Sequence, residues 1–180
     1  MKRKSAAALA LAFSNTSDDA GAPLQAVLRG QLTDRVAIRR YLEGGNAKLT
    51  IQSKTTQDRF TFRFRQPQNE RDPRDHKPIW VSVLSGTDNE TNYAFIGTIF
   101  PSRSTTEIRP SPRSRVHLDA PSAVAVAWLL RQVYLGSNDE ALFGRATIWH
   151  EGSCGRCGRT LTVPESVSSG FGPECIKLVR

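Results

Sequence analysis

The chain has 180 residues, 38% hydrophobic and 23% charged, with a formal net charge of +8. That balance excludes a wholly disordered polymer and suffices for one domain with its own core plus a small appendage. The positive excess favours a polyanionic partner, and only three cysteines, Cys154, Cys157 and Cys175, do not suit a disulfide framework.

The start of the chain, Met1-Lys-Arg-Lys4 followed by Ala6 to Phe13, has the outline of a signal peptide. The apolar run is mostly alanine, however, and Ala20-Gly-Ala22 is a poor cleavage site. Residues 1–23 therefore read as a flexible tail. No stretch is long and apolar enough to span a bilayer, which needs about 18 residues, so no membrane role is expected. Free thiols suit a reducing cytoplasm.

Residues 24–145 read as one α+β domain. Leu24 to Leu42 predicts helix in two pieces broken near Gly30, with Thr33 capping the second. The period then changes to two. Leu49 and Ile51 alternate with polar residues, and Phe60, Phe62 and Phe64 alternate with Arg59, Arg63 and Arg65, giving two strands. Ile79 to Leu84 and Asn92 to Phe100 supply two more. The expectation is a four-stranded antiparallel β-meander with one face packed and one solvated. Asp88, Asn89, Glu90 and Tyr93 read as a turn, or as a polar loop able to hold a cation. Residues 101–115 read as an exposed Pro, Ser and Arg-rich connector. Pro121 to Tyr134 predicts a packed helix with Val124, Val126, Ala127, Leu130 and Val133 turned inward.

Residues 146–180 read as a zinc-binding module. Ala146 to Trp149 predicts a short strand delivering His150. The pattern H-x3-C-x2-C-x17-C gives Cys154, Cys157 and Cys175 as thiolate ligands and His150 as the fourth. If His150 is instead a surface residue, Glu151, Glu174 or a water takes its place. Four protein ligands imply one structural Zn2+, since soft thiolates with an imidazole select it. A deaminase reading fails on spacing, because its glutamate lies two residues after the histidine and a proline precedes its first cysteine. The chain has no phosphate loop, no H-E-x-x-H and no ordered Ser/His/Asp set, so an enzyme is the less favoured class.

The segment from Trp149 to Cys175 resembles a short domain of unknown function found at the C-termini of phage and bacterial proteins. Its shape is C-x2-C-G-R-x-L-T-x-P-x-S-x3-G-x-G-P-x-C. Upstream, Phe60-Thr-Phe-Arg63, Trp80-Val-Ser-Val-Leu84 and Gly86-x-Asp88-Asn-Glu90-x-x-Tyr93 resemble a region that accompanies this module in hypothetical phage proteins. Together the resemblances run from about residue 47 to the end. They imply a viral or mobile-element origin, a setting in the host cytoplasm, and Cys154, Cys157 and Cys175 as ligands. They imply no activity.

Three basic clusters share one sign. Arg59, Arg63 and Arg65 lie on one strand face; Arg103, Arg109, Arg113 and Arg115 lie in the connector; Arg156 and Arg159 flank the cysteines. Each alone reads most simply as a solvated surface. Together they point to phosphates. Trp80, Tyr93 and Trp149 are candidates for stacking on single strands, although strand aromatics more often enter a core. The expectation is a small non-enzymatic zinc protein binding nucleic acid or a nucleoprotein complex. The rivals are a viral protein-interaction module that inhibits a host defence or replication complex, and a zinc-dependent enzyme. No small-molecule substrate is indicated, and the sequence leaves the oligomeric state open.

Overall fold

The alternating segments form a single sheet in the computed structural model, which describes residues 30–67, 78–101 and 106–179. The expected tail, the first part of the expected N-terminal helix, and Arg103 lie outside the described residues. Helix α1 (Arg35–Glu43) is followed by β1 (Asn46–Ser53), β2 (Arg59–Arg65), β3 (Ile79–Leu84) and β4 (Tyr93–Ile99). Next come α2 (Pro121–Leu135), α3 (Asp139–Phe143) and β5 (Ala146–His150). The sheet is antiparallel throughout, in the order β4-β3-β2-β1-β5. The expected four-strand meander is present, and the short strand before the cysteines extends it to five by pairing with β1.

Alternation decides which side chains enter the core. Ala47, Leu49 and Ile51, then Phe62 and Phe64, then Ile79, Val81 and Val83 face the helices and are buried. Each such large side chain contributes about 1.5–3 kcal/mol relative to an exposed one. Helix α1 starts one residue later than expected. Asp34, not Thr33, is its cap, and its carboxylate accepts the N–H groups of Val36 and Ala37. The buried face of α1 is Ile38, Tyr41 and Leu42.

Helix α2 is rotated from the expected stripe. Ala123, Val126, Leu129, Leu130 and Val133 face inward, while Val124 is 54% exposed. Val124 instead lines an apolar groove of about 720 Å³ with Ile51, Phe60 and Trp128. No helix among the described residues is long and apolar enough to cross a membrane.

Both sheet edges are covered, which removes unpaired backbone groups that would otherwise invite another chain. Against β5, His150 N–H donates to the Gly30 carbonyl at 2.9 Å and Leu32 N–H to the Ile148 carbonyl at 2.9 Å. Against β4, Thr98 and Arg109 exchange backbone hydrogen bonds of 2.9 and 2.8 Å, and Arg115 N–H donates to the Phe95 carbonyl at 2.8 Å. Part of the connector thus behaves as an edge cover rather than a free loop, and Ile108 is buried in the core.

The close approach requires a glycine. A Cβ on Gly97 would sit 2.7 Å from both the Arg109 carbonyl oxygen and Ile108 Cγ2. Gly97→Ala should lower stability by about 1–3 kcal/mol and speed proteolysis within residues 106–115. Urea titration and limited digestion check this; unchanged cleavage of that segment would contradict the docking.

Candidate metal centre and basic sheet face

The cysteine segment starts where β5 ends and doubles back at once. Ser153 pairs with Thr160, Cys154 N–H donates to the Arg159 carbonyl at 2.8 Å, and Leu161 N–H donates to the Gly152 carbonyl at 2.8 Å. Gly158 closes the turn, its N–H donating to the Cys154 carbonyl at 2.9 Å. Its φ of 76° is a region side chains rarely adopt. Helix α4 (Pro164–Ser169) then ends at Gly170 and turns Phe171 into the core, and α5 (Pro173–Ile176) carries Cys175.

These turns bring the three sulfurs within 4.8 Å of one another. Thiolates sharing one tetrahedral ion, with metal–sulfur bonds of about 2.3 Å, sit about 3.8 Å apart, which is compatible with that bound. The trio can hold a metal ion. Cys154 is buried, Cys175 half-buried and Cys157 exposed. Burial opposes the Cys154 thiolate, but the backbone N–H groups of Cys157, Gly172 and Arg156 outweigh it and bring the thiol down to about 7. The Gly172 N–H lies 3.5 Å from its Sγ. Burial, together with hydrogen bonds to the thiols of Cys157 and Cys154, pushes Cys175 up to about 11. A cation between the sulfurs removes that competition by stabilising all three thiolates.

His150, expected as the fourth ligand, is not brought to the trio. Alternation along β5 places it inward with Ala146 and Ile148, only 4% exposed. Both ring nitrogens are engaged. Nε2–H donates to the Val167 carbonyl at 2.6 Å, and Nδ1 accepts the Gly152 N–H at 3.0 Å. The imidazole therefore ties the turn before Cys154 to the helix before Cys175. Among the described residues no further His, Cys, Asp or Glu joins the cysteines.

Tyr41 carries a role that sequence reasoning missed. Its hydroxyl donates to the Ser153 carbonyl at 2.9 Å, and the Lys48 carbonyl lies 3.2 Å away on the same hydroxyl. The ring packs against His150 and Phe171, with centroids 5.5 and 5.8 Å apart. The only sequence signal was its place in the apolar stripe of α1.

The outer sheet face collects the basic residues. The register sets Asn46 beside Arg65 and Arg65 beside Trp80, and it sets Lys48 beside Arg63 and Arg63 beside Ser82. Two arginines of β2 lie over aromatic rings from other strands, and the third neighbours one in the register. The Arg59 guanidinium lies 5.5 Å from the Trp149 ring, Arg63 lies 4.2 Å from Tyr93, and Arg65 is the strand neighbour of Trp80. Trp80 is 44% exposed.

At the β4 edge, Arg109 lies 5.4 Å from the Phe100 ring, and Arg113 and Arg115 continue along the cover as exposed residues. Beyond the other side of β2, Asn46 N–H donates to the Gly155 carbonyl at 2.8 Å, and a Cβ on Gly158 would meet the Asn46 side chain at 2.4 Å. The turn bearing exposed Arg156 and Arg159 therefore abuts the row that holds Arg65 and Trp80.

The 88–93 segment is a turn laid over this face. The buried Lys48 ammonium donates to the Asn89 carbonyl at 3.0 Å and to Glu90 at 2.5 Å, so the loop's cation is the protein's own lysine. Asn89 also bonds Tyr93 and Glu151, and Thr50 bonds Glu151.

Two outcomes follow. Purified protein should hold one metal ion per chain by elemental analysis, and chelation or Cys154→Ser should remove it and lower the melting temperature; a metal-free wild type with unchanged stability would contradict the centre. Second, burial, its largest cause, lowers the His150 pKa below its ordinary 6.5. Between that lowered value and 6.5 the unfolded chain binds the proton more readily. The contribution present above 6.5 is therefore lost as pH falls through the folded value. His150→Gln should cost about 1–2 kcal/mol at pH 7.5, and the gap to wild type should narrow by pH 5.5 in urea titrations.

Comparison with known proteins bears on the C-terminal end alone. The model of DUF6011, a family of unknown function, matches residues 145–180. The match spans β5, the C-x2-C turn and Cys175; the upstream part of the resemblance lies outside it. No curated protein matches the chain, and no solved structure matches it.

Proposed function

We propose that the protein is a nucleic-acid-binding zinc protein whose binding surface is the outer face of the sheet. The observation that carries this reading is the convergence of three arginine clusters, far apart in sequence, on one continuous side. Arg59, Arg63 and Arg65 occupy the middle strand, Arg109 and Arg115 the β4 edge, and Arg156 and Arg159 the turn beside Asn46. From β2 to the cover strand beyond β4 is about 14 Å at the usual strand spacing. Cations over that span can neutralise several phosphates together, whereas isolated surface charges are largely screened. Guanidiniums held over rings are restrained in direction, which lowers the entropy lost when they grip a phosphate.

The metal is Zn2+ in this reading, because thiolates in a reducing compartment favour it over harder cations. Its role is structural. The cysteine segments are short and irregular, and an ion joining them fixes the arginine-bearing turn against the sheet.

Electrophoretic shift of single-stranded and duplex oligonucleotides against salt tests the proposal. Affinity should fall steeply with salt, and Arg65→Gln should reduce the slope of log K against log salt by about 0.7–0.9. Absence of binding to DNA and RNA at low salt would sink the reading. So would capture of a protein partner that survives both nuclease and high salt without any oligonucleotide binding.

A further inference from the structure

Resting on the nucleic-acid reading, we infer that this face recognises unpaired bases: a single strand of DNA or RNA runs across the sheet with bases stacked on Trp80 and on the arginine–aromatic pairs. Phosphate binding alone needs only cations. The face offers aromatic rings as well.

Three strands contribute rings to the same side. Trp149 comes from β5, Trp80 from β3, and Tyr93 and Phe95 from β4. The cross-strand register sets Phe95 beside Ser82, which neighbours Arg63, and sets Trp149 beside Thr50, which neighbours Thr61. Trp149 and Trp80 are three strands apart and about four residues apart along the strands. That separates them by about 19 Å, room for a few nucleotides.

Arg63 lies between their rows, Arg65 is level with Trp80, and Arg59 lies just beyond the row of Trp149. A guanidinium spread on a ring is a flat cationic surface, and bases stack on such surfaces as they do on aromatic rings. Trp80 is the ring most open to a ligand, since an aromatic side chain 44% exposed on a folded strand has a free face. In a duplex the bases are already stacked and their faces are hidden, so a platform of rings gains little from one.

Fluorescence anisotropy with four 12-residue probes at matched salt tests the inference: oligothymidylate, oligouridylate, an abasic strand of the same charge, and a duplex. Either base-bearing single strand should bind at least tenfold tighter than the abasic strand and should quench tryptophan emission. Trp80→Ala should lower that affinity towards the abasic level, and Trp80→Phe should retain most of it. Equal affinity for the abasic and base-bearing strands, or a preference for the duplex, would overturn base stacking and leave phosphate binding standing. Failure of all four probes would remove the nucleic-acid reading and this inference with it.

Discussion

The contact on which the rest of the site depends is the seat of Tyr41. Its side chain is fully buried between α1, β1 and the cysteine segment. Two glycines make that seat. A Cβ on Gly155 or Gly170 would lie 2.7 Å from the Tyr41 ring, so both positions must be bare for the segment to close on it. The hydroxyl then bonds the Ser153 carbonyl, one residue before Cys154. Burial raises the phenol far above its ordinary range, so it stays protonated and remains a donor. One side chain from the N-terminal helix thereby fixes the height and angle at which the first cysteine leaves the sheet.

How far the sequence could be read follows from how local each feature is. Strand positions in β1 to β4 were legible because apolar and polar residues alternate there, and the three phenylalanines of β2 left no doubt about the inward face. The cysteine centre was legible because thiolate spacing is a short-range requirement. His150 was expected beside the cysteines, but the same alternation applies to it: Ile148 inward implies His150 inward, where its ring nitrogens bond Val167 and Gly152. Val124 was placed in the core because a helix of mostly apolar residues has no sharp stripe. The convergence of the arginines was not legible at all. It depends on register, on β5 joining β1, and on Gly97 admitting the connector at the far edge, and none of these follows from residues near the arginines in sequence.

The centre of the outer face shows what controls its charge. Lys48 is buried among strands and would be costly without a partner, and the 88–93 turn supplies Glu90 and the Asn89 carbonyl. Glu151 is held in the same network through Thr50 and Asn89. Acidic groups thus neutralise the middle of the sheet, while Arg59 lies towards one end of β2 and Arg65 at the other. A uniform basic patch would attract any polyanion; under the proposed function, cations set beside rings around a neutral middle would favour a ligand that carries phosphates and flat apolar groups together.

The metal centre and the basic face are mechanically one unit. Asn46 joins them, because its backbone N–H bonds Gly155 in the cysteine turn while its neighbour across the strand pair is Arg65. His150 holds the same turn from the inner side, through Gly152 and Val167. The turn is therefore gripped on both faces of the sheet, and the cysteines close its open end. Backbone bonds such as Gly155 N–H to the Gly170 carbonyl hold the two segments together, while Cys154 and Cys175 make opposed demands for their protons. A cation held by the three thiolates would stiffen that end, and the arginines on it would then keep a steadier distance from Arg65 and Trp80. Under the proposed function, such a metal would contribute to binding without touching the ligand, by removing the conformational freedom that those arginines would otherwise lose on contact.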